Sequence, residues 1–181
     1  MLKLRTKMLD IPCLRQAFDY DCGAVVLQAV LAYYGIEIRE DKLIKMAGTS
    51  KKKGTNPAAM VKVLKKYGLE IEEGEMTMNE IKNFLKNKVP VIIFIQAWIN
   101  KKSIDWVNNW GDGHYVIVIG YDEKKIYFED PGAFKRTYLN WEELEMRWHD
   151  QDFDGKKYHN YGIAAYGKKP VYCSNQLIHL D

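Results

Sequence analysis

The sequence predicts an α+β domain in which a helical layer packs on an antiparallel β-sheet, and three observations carry that prediction. Helix signals crowd the first half of the 181 residues, strand signals crowd the second, and neither an internal repeat nor a Pro/Gly/Ser-rich linker divides them. A chain of this length suits one hydrophobic core, so residues 1–181 read as a single domain.

The elements follow in order. Residues 22–34, CGAVVLQAVLAYY, are dense in apolar helix formers and end at Gly35, where a left-handed cap is expected, so they read as a buried helix with Cys22 in its first turn. A short helix over 40–47 closes at Gly48. The next starts at Asn56-Pro57, a capping residue followed by proline at the first helical position, and Met60, Val63, Leu64 and Tyr67 keep helical spacing up to Gly68. Residues 69–73 alternate as a strand, and Thr77 with Glu80 forms a capping box for a helix through Leu85. Residues 91–96, 114–121, 125–129 and 161–166 are rich in Val, Ile, Tyr and Phe and read as strands, with 122–124 as a hairpin turn. Asn140 and Glu143 cap a last helix through Trp148.

Composition narrows the function classes. With 47% hydrophobic and 28% charged residues the chain is neither disordered nor low in complexity. Lys and Arg number 27 against 24 Asp and Glu, and a net charge of +3 gives no support to nucleic acid as a partner. The longest apolar runs, 91–95 and 115–119, fall far short of the roughly 18 residues of a transmembrane helix, so no membrane span is expected. The N-terminal MLKLRTKMLDIPCL is basic but lacks an apolar core, which argues against a signal peptide. Cys13, Cys22 and Cys173 show no CxxC couple, and His149, His159 and His179 have no ligand spacing with an acid or thiol. The expectation is therefore free thiols in a reducing cytoplasm, no metal and no cofactor.

Cys22 is the residue that points to chemistry. A cysteine at a helix N-terminus faces unpaired N–H groups and the positive end of the helix dipole, both of which favour a thiolate nucleophile. Gly23 beside it leaves room for a substrate carbonyl. Gln16, six residues upstream, offers an amide donor for an oxyanion, and alone it reads as a polar loop residue. His114 opens the apolar strand HYVIVIGY, where an imidazole serves as general base and acid or simply as a surface residue. Asp130 follows the next strand, and the hairpin brings it near His114; its plain reading is a turn-forming Asp before Pro131-Gly132. Asp21 reads as a helix-start residue, because its charge beside the thiol opposes thiolate formation. Lys51-Lys52-Lys53 reads as a solvated turn, with attraction of an acidic partner as the alternative. Residues 97–112, AWINKKSIDWVNNWGD, hold Trp98, Trp106 and Trp110 and read either as a lid at a cleft rim or as a long connection anchored by its indoles.

The order Gln16, Asp21-Cys22-Gly23, Gly113-His114 and Asp130-Pro131 resembles the C39 family of cysteine peptidases, a papain-like group. The resemblance runs through DCGAVVLQAVLAYYG, AGTS, GTNPAAMVKVLKKYGL, VPVIIFI, HYVIVIGY, EDPG and YLNWEELEMRW, roughly 12–148. It implies a papain-like fold, with Cys22 as nucleophile, His114 as general base and acid, Asp130 orienting His114, and Gln16 in the oxyanion hole. It also implies a peptide or protein substrate. The well-known members cut peptide precursors after a Gly-Gly pair in a leader, usually as the N-terminal domain of an ABC exporter. This sequence departs from that arrangement. It has no Walker A pattern GxxxxGK[ST], so no ATP-binding domain is expected in this chain, and its 97–112 segment is longer than in exporter-linked members. Two other classes share the architecture: an acyltransferase or transglutaminase-like enzyme in which an amine resolves the thioester, and a non-catalytic peptide-binding module.

Overall fold

The computed structural model describes residues 8–98 and 104–180. Three helices come first, α1 (Cys22–Tyr33), α2 (Glu40–Ala47) and α3 (Pro57–Lys66), followed by strand β1 (Glu70–Glu75) and helix α4 (Met78–Lys86). Strands β2 (Val91–Gln96), β3 (Gly113–Tyr121), β4 (Lys125–Glu129) and β5 (Thr137–Asn140) follow, then α5 (Trp141–Arg147), β6 (His149–Gln151), β7 (Lys157–His159) and β8 (Tyr161–Tyr166). This is the α+β layering expected from the sequence.

Local chemistry sets the helix ends. Asn56 Oδ1 accepts the Ala58 N–H at 2.9 Å and Pro57 opens α3. Thr77 and Glu80 exchange hydrogen bonds at the start of α4, at 3.2 and 2.7 Å. Glu143 accepts the Asn140 N–H at 2.8 Å at the start of α5. Gly48 closes α2 at φ 63°, a conformation in which a Cβ would be strained.

The main sheet has six strands in the order β1-β8-β2-β3-β4-β5, every pairing antiparallel. All of β2 and all but the first residue of β3 are buried, which accounts for their unbroken apolar runs: a strand covered on both faces has no polar side to show. Helix α1 is apolar nearly all round and packs on β3 within the core. Register puts His114 opposite Ile95 and Gly113 opposite Gln96, at the end of these two central strands where the N-terminus of α1 arrives. Strands β6 and β7 form a separate hairpin that packs beside the end of β2. Neither that hairpin nor β5 is among the strands read from the sequence. No helix among the described residues is long and apolar enough to cross a membrane.

Candidate active site

Cys22 is the first residue of α1 and is buried. Its thiol lies within hydrogen-bonding reach of His114, the second residue of β3. On the far side of the ring, His114 Nε2 meets Asp130 Oδ1 at 2.7 Å. Asp130 is pinned in turn: its Oδ1 accepts the Gly132 N–H at 2.7 Å and its Oδ2 accepts the Thr137 hydroxyl at 3.1 Å. Three residues 92 and 16 positions apart along the chain, from a helix, a strand and a turn, thus form one line.

The electrostatics follow from that line. Burial pushes the His114 imidazolium down, but its hydrogen bonds to Asp130 and Cys22 outweigh burial and raise it to about 9. Asp130 shows the complementary balance. Burial favours its neutral form, yet the bond to His114 and the Gly132 and Thr137 donors hold the carboxyl below its ordinary value. The pair therefore stays charged through neutral pH.

Gln16 lies across the cleft. The Gln16 N–H donates to Pro131 O at 3.1 Å, tying the loop before α1 to the turn that carries Asp130. Its side-chain Nε2 donates one hydrogen to Phe18 O at 2.7 Å, which leaves the second, while its Oε1 is buried without a partner. Gln16 and His114 share the wall of a cleft of about 610 Å³ with Arg15, Trp98, Asp112 and Gly132. Cys22 lines a second cleft of about 500 Å³, and Asp19, Gly111 and Gly113 border both.

Two glycine and capping roles differ from those expected of the sequence. A Cβ on Gly23 would lie 2.5 Å from the Thr55 side chain, so Thr55 fills the space that the sequence suggests is kept for substrate. Asp21 occupies the N-cap position but does not cap α1; its buried carboxylate accepts the Phe18 N–H at 3.1 and 3.2 Å, holding the preceding loop instead. Of the three tryptophans in 97–112, Trp106 lies under the Arg147 guanidinium at 3.7 Å and Trp110 packs on His149 and His159, whereas Trp98 is exposed on the cleft rim. Two indoles anchor the connection and one borders the cleft. Residues 99–103 of that segment lie outside the described residues, as do residues 1–7 of the stretch weighed as a signal peptide. Cys13 and Cys173 are exposed and free. Partial burial and the Glu129 carboxylate push the Cys13 thiol above its ordinary value. No cluster of His, Cys, Asp or Glu suited to a metal ion occurs among the described residues.

Sequence reasoning missed Gln96 and Asp150, which support the site from behind. Gln96, fully buried at the end of β2, donates to Asp150 Oδ1 at 2.8 Å and accepts the Asp112 N–H at 2.9 Å. Burial raises the Asp150 carboxyl to about 7, against the lowering effect of its Gln151 N–H and Gln96 donors. A polar residue closing an apolar strand was the one available signal; nothing local links Gln96 to a partner 54 residues away. Asp150 packs directly on Gly113, where a Cβ would stand 1.8 Å from its Oδ2. Gly113→Ala is therefore expected to destabilise the fold by about 1–3 kcal/mol through overpacking and to lower turnover by displacing His114. Gly111→Ala, whose Cβ meets only Asn109 Oδ1 at 3.8 Å, should leave both unchanged. Denaturant midpoints and initial rates of the two variants check this contrast.

A helix-borne thiol and a strand-borne imidazole facing each other across the seam between helical layer and antiparallel sheet define a papain-like fold. The chain belongs to the Peptidase C39 family, which residues 10–151 match. Solved structures agree on the fold. A double glycine motif protease from an AMS/PCAT transporter, solved in complex with the leader peptide, superposes with a TM-score of 0.64 at 21% identity, covering 94% of this chain and 99% of that one. The peptidase domain of Streptococcus ComA, a bi-functional ABC transporter involved in a quorum sensing pathway, superposes with a TM-score of 0.61 at 22% identity, covering 87% and 97%. An uncharacterized protein of Methanothermobacter thermautotrophicus is 26% identical over 135 residues, 74% of this chain and 81% of that protein.

Proposed function

We propose that this protein is a cysteine peptidase that hydrolyses a peptide bond through Cys22, His114 and Asp130, with Gln16 as an oxyanion donor. The observation that carries the reading is the line from Cys22 through His114 to Asp130, with its 2.7 Å Nε2–Oδ1 contact and hydrogen bonds that favour the protonated imidazole. The Cys22 thiolate attacks the scissile carbonyl carbon, and the carbonyl electron pair moves onto oxygen, toward the free Gln16 hydrogen and the unpaired N–H groups of the first turn of α1. His114 gives its proton to the amine nitrogen, the C–N bond breaks, and a thioester remains. Neutral His114 then takes a proton from water as the water oxygen attacks the thioester, which releases the acid and restores the thiolate. Asp130 holds the ring throughout.

The substrate in this reading is a peptide or protein segment. The leader peptide bound by the double glycine motif protease supports a precursor peptide, and the two exposed free thiols fit a reducing cytoplasm. The test is a mixed peptide library incubated with the protein and read by mass spectrometry. Internal cleavage with free carboxyl products is the expected result; products in which an added amine has replaced the carboxyl hydroxyl, or no cleavage at all, overturn it. Gln16→Ala is expected to lower kcat by about 10²–10³-fold, the loss of one oxyanion donor at about 2.7–4 kcal/mol. A change confined to KM in steady-state kinetics contradicts that role.

A further inference from the structure

The two clefts that meet at the site are not alike, and the one lined by Cys22 carries a cationic wall. Lys51, Lys52 and Lys53 form a tight turn closed by Ser50 and Gly54, whose backbone groups bond to each other at 2.8 and 3.1 Å. The turn leads straight into Thr55, the residue that packs on Gly23 beside the nucleophile. Tyr115 fixes this junction by donating its hydroxyl to Thr55 O at 2.9 Å. The lysines therefore start within a few residues of Cys22 in space, although they lie about thirty residues downstream of it in sequence.

No carboxylate clamps them. None of the three ammonium groups makes an ion pair among the described residues; Lys52 and Lys53 instead reach over the ring of Phe153, which lines the same cleft, 5.3 and 5.1 Å from its centroid. Contact with an aromatic face holds a cation in place without cancelling its field. The same cleft also holds carboxylates, which hydrogen bonds from neutral donors fix in place without removing their charge, so the lysines act on a peptide at the turn itself and not through the net charge of the cleft. Asp152 accepts from the Asp154 and Lys156 N–H groups, the Tyr158 hydroxyl and Asn56, and Asp150 is buried beneath the cleft on Gln96 and the Gln151 N–H. Asp19, on the border of the two clefts, is the lining carboxylate that makes no such bond among the described residues.

The chemistry decides which half of a peptide meets this wall. The acyl half ends on sulfur and must lie on the Cys22 side, while the departing amine is protonated by His114 and leaves through the cleft that His114 and Gln16 line. We propose that the turn Lys51–Lys53 is a subsite for acidic side chains, Asp or Glu, on the N-terminal side of the scissile bond. This rests on the peptidase reading above for the direction of the peptide but not for the attraction itself.

Two measurements on the 181-residue protein separate the two ideas. A mixed library of peptides about twelve residues long, a length that spans both clefts when extended, is cleaved by the unmodified protein and by the triple variant Lys51→Ser/Lys52→Ser/Lys53→Ser. The same library is captured on immobilised Cys22→Ala protein with and without the three lysine changes. Asp and Glu should be enriched about fivefold at positions N-terminal to the cut and among captured peptides at low salt, and the enrichment should fade toward unity near 0.5 M NaCl and in the triple variant. Charge reversal as Lys52→Glu/Lys53→Glu should turn the preference toward basic residues. Enrichment on capture without any cleavage overturns the peptidase reading and leaves the subsite standing. Cleavage without acidic enrichment, or enrichment that the triple variant retains, overturns the subsite alone. Neither cleavage nor enrichment overturns both.

Discussion

Cys22→Ala is expected to abolish peptide hydrolysis, lowering the rate by about 10⁴-fold or more, while Cys13→Ala and Cys173→Ala should stay within about twofold of the unmodified protein. Cys22 alone among the three thiols combines the start of a buried helix with an imidazole in hydrogen-bonding reach. Cys13 faces the Glu129 carboxylate, which opposes its ionisation, and Cys173 is exposed in the segment after β8. The alanine variant removes a sulfur from a partly apolar pocket and should fold, so circular dichroism and denaturant midpoints are measured beside the rates. Comparable loss of activity in Cys13→Ala would falsify the assignment.

His114→Ala is expected to lower kcat by about 10⁴-fold, since it removes both the acceptor of the thiol proton and the donor to the leaving amine. The pH profile gives the sharper reading. His114 is held protonated up to about pH 9, so kcat/KM should decline as pH rises through that value and the imidazolium loses the proton the leaving amine needs. Asp130→Asn keeps an Oδ1 that accepts the Gly132 N–H and turns its NH2 toward the Thr137 hydroxyl, which then accepts instead of donating, but it withdraws the carboxylate that raises His114. Burial, which pushes the imidazolium down, then gains weight, and the alkaline limb should move to lower pH together with a fall in kcat. An Asp130→Asn protein with an unmoved alkaline limb and full turnover would show that another group holds the ring.

The local elements were legible in the sequence because their determinants are local. Asn56-Pro57, Thr77 with Glu80, and Asn140 with Glu143 satisfy N–H groups within three residues of themselves, and those bonds form wherever the chain happens to lie. The apolar runs of β2, β3 and β8 announced buried strands by composition alone: burial on both faces leaves no room for alternation. Cys22 at a helix start, His114 at a strand start and Asp130 in a turn were visible as chemically apt residues, and the hairpin connecting β3 to β4 made the His114–Asp130 meeting a matter of short-range geometry.

What the tertiary structure decided lies at long sequence separation. The order β1-β8-β2-β3 sets the C-terminal strand between two earlier ones, a pairing that no period in the sequence encodes. Strands β6 and β7, three residues each, are too short to show a pattern, yet their hairpin delivers Asp150 to Gln96 and Gly113 behind the site. Gly23 reads in sequence as space for a substrate, and in the fold it is space for Thr55. Lys51–Lys53 shows the division most clearly. Its charge was plain from composition, but only the packing of Thr55 on Gly23 places that charge on the wall of the cleft that holds Cys22. Hydrogen bonds and periodicity act over a few residues and are written in the chain; side-chain shape acts wherever the core brings two segments together, and the identity of the second segment is settled only by folding.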